Sequence, residues 1–167
     1  MTPEALIKHL NLKPLPLEGG FFAETCRSEE WLSADQLPSR YSGKKPYYTA
    51  IYYLLTPETF SALHRLPTDE VFHFYLGDPV QMLNLFEDGT SAVITLGQDL
   101  FHGQTLQYRV PKNTWQGSRL MSGGRFALLG TTMAPGFDFD DFTPADRDAL
   151  SASYPQRCEM IRELTVS

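Results

Sequence analysis

What this chain has little of narrows its reading first. It contains two cysteines, Cys26 and Cys158, far apart and in no Cys-x-x-Cys pattern. That spacing excludes a zinc ribbon or a redox dithiol and leaves two reduced, buried thiols as the expectation. Basic residues are in the minority, 14 Lys and Arg against 20 Asp and Glu, for a net charge of −6. A groove for nucleic-acid phosphates needs the opposite balance, so no nucleic acid is expected as a partner. The longest apolar stretch, Ala50 to Leu55, is far too short to span a bilayer. The opening MTPEALIKHLNLK lacks the basic start, apolar run and small-residue cleavage site of a secretory signal. A cytoplasmic protein with no membrane partner is the expectation. Internal repeats and low-complexity linkers are also missing, and the 167 residues read as one domain.

What is present is apolar and aromatic. Hydrophobic residues make up 42% of the chain and aromatic ones 13%, enough for a packed core without disulfides or a structural metal. Thr2-Pro3-Glu4 opens a short helix: a capping hydroxyl, proline at the first helical position and an acid in the first turn. Glu18-Gly19-Gly20 is a turn into a strand from Phe21 to Cys26. Residues 28–46 show no period and read as a surface excursion, with one helical turn near Ser33 to Gln36. From Tyr47 to Leu55 the run YYTAIYYLL is apolar on both parities, the mark of a strand covered on both faces. A second subunit is the expected outer cover, hence a homodimer. Strand-like runs then follow at Phe60 to His64, Glu70 to Tyr75, Val80 to Phe86, Ser91 to Leu96, Thr105 to Val110, Gln116 to Leu120 and Arg125 to Met133. Glu87-Asp88-Gly89-Thr90 is a hairpin signal, and many short strands with regular turns indicate a sandwich or barrel. Near the C-terminus, Phe137, Phe139 and Phe142 alternate with aspartates, which reads as a solvated segment anchored by its rings and lacks the ligand pattern of a calcium loop. Thr143-Pro144-Ala145-Asp146 reads as a capping box opening a helix, and Pro155 restarts a second one with Cys158, Ile161 and Leu164 on one face.

The stretch Ser61 to Gly77 concentrates the chemistry: two histidines, an aspartate and a glutamate among Leu, Val, Phe and Tyr. In a strand, Glu70, Phe72 and Phe74 share one face, opposite Val71, His73 and Tyr75. A carboxyl aligned with two phenylalanines needs a partner, and His64 is the nearest candidate. His73 falls on the wrong face and is left out of the site, while Arg65 and Asp69 read as rim charges. About forty residues on lies Pro111-Lys112-Asn113-Thr114-Trp115-Gln116.

Together these two stretches resemble the paired motifs of the cupin superfamily. His64 matches the first motif's leading histidine, Glu70 its glutamate and Gly77 its closing glycine. Pro111 matches the start of the second motif, Asn113 replaces its glycine, and Gln116 stands where its histidine would be. Leu66 takes the place of the second metal-binding histidine. The wider texture, from Glu18 through Thr25, along Thr49 to Leu55 and into Pro111 to Gln116, resembles a small single-domain branch of that superfamily with degenerate metal motifs. The resemblance implies a mainly β jelly-roll barrel (a double-stranded β-helix) over about residues 18–135, a short N-terminal helix and one or two C-terminal helices over about 143–165. It further implies a cavity for one small molecule in which His64, Glu70 and Gln116 meet, with Trp115, Phe72 and Phe74 as ligand-binding walls.

Three functions follow from that arrangement. One is isomerase- or epimerase-type chemistry on a carbohydrate-like or nucleotide-sugar-like ligand, with His64 as base, Glu70 or Asp69 as its partner and a tyrosine, Tyr53 or Tyr108, opposite. Another is ligand binding or sensing without catalysis. The third is a metal-dependent oxygenase or isomerase with His64, Glu70 and Gln116 as ligands to a divalent ion. A neutral amide is a poor substitute for imidazole, so no cofactor is expected to be required.

Overall fold

The computed structural model describes residues 1–166. Helix α1, Pro3–His9, begins as the sequence predicts, with the Thr2 hydroxyl accepting from the Ala5 amide. The strands follow in order: β1 (Lys13–Pro14), β2 (Phe21–Arg27), β3 (Trp31–Leu32), β4 (Lys45–Pro46), β5 (Thr49–Leu55), β6 (Phe60–Arg65), β7 (Glu70–Gly77), β8 (Val80–Leu85), β9 (Ser91–Leu96), β10 (Gln107–Val110), β11 (Trp115–Leu120), β12 (Ala127–Met133) and β13 (Thr143–Pro144). Helices α2 (Arg147–Ser153) and α3 (Cys158–Glu163) complete the chain's elements.

The strands form a jelly roll. One sheet has the order β1-β2-β5-β12-β7-β10 and the other β13-β6-β11-β8-β9, with β3 and β4 as a separate small ribbon. Between the sheets lies the main core, where Tyr53, Leu55, Phe72, Phe74 and Leu129 from the first meet Val80, Met82, Leu96 and Leu120 from the second. Period-two alternation puts these residues inward; β7, for example, buries Glu70, Phe72 and Phe74 while Val71 and His73 are less covered. Two positive-φ residues shape the turns that end these strands: Gly77 at 108° and Asn113 at 63°. The left-handed geometry anticipated for Asn113 in place of glycine is thus present.

Each sheet also has an outer cover. Leu63, Leu83 and Leu85 of the second sheet pack against Leu150, Tyr154, Ile161 and Leu164 of the C-terminal segment. On the first sheet, Leu54 and Leu128 pack against Leu6 and Leu12 from the α1 region. Part of the two-sided apolar pattern of β5 is therefore answered within the chain. The rest of that outer face carries Tyr52, His73 and Tyr75, the last 45% exposed.

Several expectations are corrected. Thr143 and Pro144 are not a helix start; they pair as an edge strand with Arg65 and His64. The cap of α2 is Asp146, whose carboxylate accepts from the Ala149 amide at 2.9 Å. The cysteines are free, but Cys26 is exposed and Cys158 only half-buried, because each sits on a face that nothing fully covers. Residues 137–142 are only partly the solvated run expected: Phe139 and Asp140 are exposed, but the segment is tied down by more than its rings. Asp141 is buried in an ion pair with Lys45 at 2.8 Å, and Phe137 and Phe142 are half-buried while Phe139 is 48% exposed. Among the described residues, no helix is long and apolar enough to cross a membrane.

Candidate functional site

Strand register builds the site. Gln116 on β11 lies directly opposite His64 on β6, and directly opposed residues project to the same face. A bulge in β6 sets the neighbouring pair, because Ser61, three residues before His64, opposes Ser118, only two after Gln116. The extra residue lets Ser61 and His64 both face inward despite their odd spacing. Gly117 makes room for it: a Cβ there would lie 2.9 Å from the Ser61 carbonyl oxygen and 3.0 Å from the Leu63 nitrogen.

His64, Gln116 and Glu70 then form one hydrogen-bonded chain. The His64 ring is 1% exposed and its Nδ1 donates to the Ala62 carbonyl at 2.8 Å. That bond fixes the tautomer and leaves Nε2 as an acceptor. Gln116 Nε2 uses its two hydrogens there, donating to His64 Nε2 at 2.8 Å and to Glu70 Oε2 at 3.1 Å. The Phe142 ring stacks on the imidazole, centroids 4.8 Å apart. The three residues named from sequence are thus together, distant as they are along the chain.

A fourth group was missed. Glu18, read as part of a turn, sends its carboxyl inward, where Oε1 accepts from the Ser61 hydroxyl at 2.7 Å and Oε2 lies 3.9 Å from His64 Nε2. Its signal in the sequence was slight: an acid before two glycines looks like turn chemistry. Burial pushes the Glu70 carboxyl up to about 8, the Glu18 charge adds to the rise, and a Thr131 hydroxyl hydrogen bond opposes it. At neutral pH Glu70 therefore holds a proton. Tyr53 is held far above its usual range, first by burial and then by the Glu18 charge.

The cavity is not where the whole predicted list placed it. About 70 Å³ is enclosed, with Glu18, Glu70 and Thr131 at the polar end and Leu15, Phe22, Ile51, Leu66, Met133, Phe137, Phe139 and Phe142 as walls. At its mouth Arg27 is engaged by Glu24, at 2.7 Å between Nη2 and Oε2. Phe72 and Phe74 share the face of Glu70 but are absorbed in the core. Trp115 is a correction: adjacent to Gln116 in a strand, it points the other way, packs toward the C-terminal helices and lies under the Arg65 guanidinium at 4.7 Å. Neither His64 nor Gln116, expected to meet the ligand, is part of the lining: Gln116 reaches it through its hydrogen bond to Glu70, and His64 lies behind Gln116 and the Phe142 ring, so both position groups that do line the space. Neither candidate tyrosine lines the space, and the Tyr53 hydroxyl donates to the Gly19 carbonyl at 2.9 Å. A nucleotide sugar is too large for this volume, which suits a ligand of a few heavy atoms. His73 is on the outer face, hydrogen-bonded to Thr132 and Gln107, and Asp69 binds Arg109 and the Lys112 amide at the rim.

The metal reading does not fit these residues. The Nε2 lone pair of His64 already accepts from an amide hydrogen, and Leu66 contributes only hydrocarbon to the wall. Among the described residues, no group of three or more His, Cys, Asp or Glu side chains is placed to hold an ion.

Residues 4–145 match the family described as Cupin superfamily (DUF985). The chain is a DUF985 cupin. An uncharacterised protein of Saccharomyces cerevisiae is 30% identical over 146 residues, 83% of this cupin and 69% of the yeast protein. A hypothetical protein from Leishmania major superposes with a TM-score of 0.89 at 31% identity, covering 100% of both chains. A Shewanella oneidensis protein gives 0.85 at 33% identity, covering 99% of this cupin and 98% of that chain. The oxalate decarboxylase of Bacillus subtilis superposes at 0.53 with 13% identity, over 93% of this cupin and 38% of the decarboxylase. At that identity the likeness is one of fold alone.

Proposed function

We propose that this DUF985 cupin binds one small polar molecule in the cavity that the first sheet forms with the 15–18 and 137–142 segments, without a metal, and that Glu70 exchanges a proton with it. The observation that carries the reading is the position of Glu70: a carboxyl facing an apolar cavity, with a second carboxyl beside it and an amide holding its Oε2 at 3.1 Å. Burial keeps its proton on to about pH 8, the condition for a general acid at neutral pH. His64 acts one step back. It fixes the Gln116 amide, and the amide fixes the Glu70 carboxyl. The binding half of the reading stands without the proton transfer; the raised pKa is what favours transfer over binding alone. Isomerase-type chemistry, in which a proton next to a carbonyl is removed and returned, agrees with two adjacent carboxyls better than with the His64–tyrosine pairing.

The test has two measurements. Small ketones, polyols, amines and carboxylates are screened by thermal shift on the wild type and on Glu70→Gln. A compound that stabilises the wild type and not the variant supports the pocket; equal shifts in both overturn it. Hydroxyacetone and aminoacetone are then incubated with the protein in D2O and followed by NMR. Faster C–H to C–D exchange with the wild type than with Glu70→Gln supports proton transfer, and equal rates reduce the function to binding.

A further inference from the structure

The polar groups around the cavity are unevenly matched. The donors that approach its polar end are engaged: the Ser61 hydroxyl on Glu18, both Gln116 amide hydrogens on His64 and Glu70, the Tyr53 hydroxyl on the Gly19 carbonyl, and His64 Nδ1 on the Ala62 carbonyl. The acceptors are only partly so. Of the four carboxyl oxygens of Glu18 and Glu70, Glu18 Oε1 and Glu70 Oε2 already accept and the Thr131 hydroxyl bonds Glu70, which leaves Glu18 Oε2 without a hydrogen; behind the lining, the buried Gln116 Oε1 also has no hydrogen-bond partner. The charge is uneven in the same sense. Three carboxyls (Glu18, Glu24 and Glu70) line the space against one guanidinium, Arg27, and that one is held by Glu24 and the Phe137 carbonyl. Lys45, a buried cation outside the lining, is paired with Asp141. The remaining wall is aromatic, Phe22, Phe137, Phe139 and Phe142, and ring faces attract cations.

From this imbalance we propose that the ligand of the cavity is a small organic cation bearing N–H donors, a primary ammonium or a guanidinium, held by Glu18 and Glu70 and enclosed by the phenylalanines. The inference rests on the binding reading above and narrows its ligand class. An ammonium supplies the hydrogens that the open acceptors lack and the positive charge that the Glu18 carboxylate calls for, since Glu24 is paired with Arg27 and Glu70 carries its proton at neutral pH. An anionic ligand finds no free cation among the described residues that line the cavity. A neutral alcohol supplies one hydrogen and no charge.

Three probes of nearly equal size separate the classes: ethanolamine, ethylene glycol and glycolate. Thermal shift and titration calorimetry at pH 7 are expected to show ethanolamine binding at least tenfold more tightly than either of the others. Tetramethylammonium, which has the charge and no N–H, is expected to bind more weakly than ethanolamine. Glu18→Gln is expected to weaken ethanolamine at least tenfold, with Glu70→Gln as the second variant should Glu18→Gln fail to fold. Tighter binding of ethylene glycol or glycolate overturns the cation while leaving the pocket in place. Ethanolamine binding unchanged in both variants overturns it as well. If no compound of any class binds, the pocket reading falls with it.

Discussion

Glu70 is the residue whose environment has the largest measurable consequence. Its carboxyl ordinarily titrates at 4.5 and here holds its proton to about 8. Between those values the folded chain binds a proton that the unfolded chain has lost. Stability therefore falls as pH rises through that window, by up to about 1.4 kcal/mol per pH unit, and levels off above it. Glu70→Gln removes the titration. Its melting temperature is expected to exceed that of the wild type at pH 8, with the gap closing toward pH 5; a wild type whose stability is flat over that range contradicts the assignment. The buried Lys45–Asp141 pair, both side chains under 5% exposed, makes the opposite prediction. Lys45→Met leaves a buried carboxylate alone and is expected to cost about 3–5 kcal/mol in denaturant unfolding. At this scale the sequence was only half legible. His64, Glu70 and Gln116 stood in motif positions. Glu18 and Asp141 came from irregular segments, where neither period nor parity says which way a side chain points. Trp115 was misplaced although its parity was available, since a neighbour of inward-facing Gln116 in a strand must face outward.

The β6 bulge is the element that brings His64 and Ser61 onto one face, and Gly117 is the position that permits it. Gly117→Ala places a methyl group about 3 Å from the backbone atoms of Ser61 and Leu63, which cannot withdraw as a flexible side chain could. A loss of roughly 1–3 kcal/mol is expected. The His64 imidazole resonances should shift as the Gln116 contact is disturbed, and an unperturbed imidazole spectrum would argue against this role for the bulge. At the other end of the chain, Asp146→Ala is expected to cost about 1 kcal/mol, whereas Thr143→Ala should leave α2 unaffected. That contrast separates the cap observed here from the one the sequence suggested. Strands were legible because alternation and turn residues agree; the α2 cap was not, because Thr143-Pro144-Ala145-Asp146 contains two plausible caps and only the pairing of Thr143 with Arg65 decides between them.

For the whole molecule, the open half of the first sheet's outer face bears on assembly. Tyr52 and Tyr75 meet edge to face, their centroids 6.0 Å apart, and His73 stacks beside Tyr75. We propose that the homodimer expected from the two-sided apolar pattern of β5 forms there, continuous with that strand. Light scattering is expected to give twice the 18.9 kDa chain mass, and Tyr75→Glu to return it to the single-chain value. A monomeric wild type rules the contact out.

The cavity draws Glu18 from the beginning of the jelly roll and Phe142 from beyond its last long strand. Neither β-sheet alone can present a finished binding surface. During synthesis the earlier wall waits, open, until the ribosome has released the later one. A chain cut just after Met133 would lack three of the four rings that close the hollow, so affinity for any occupant should vanish well before the strands themselves come apart.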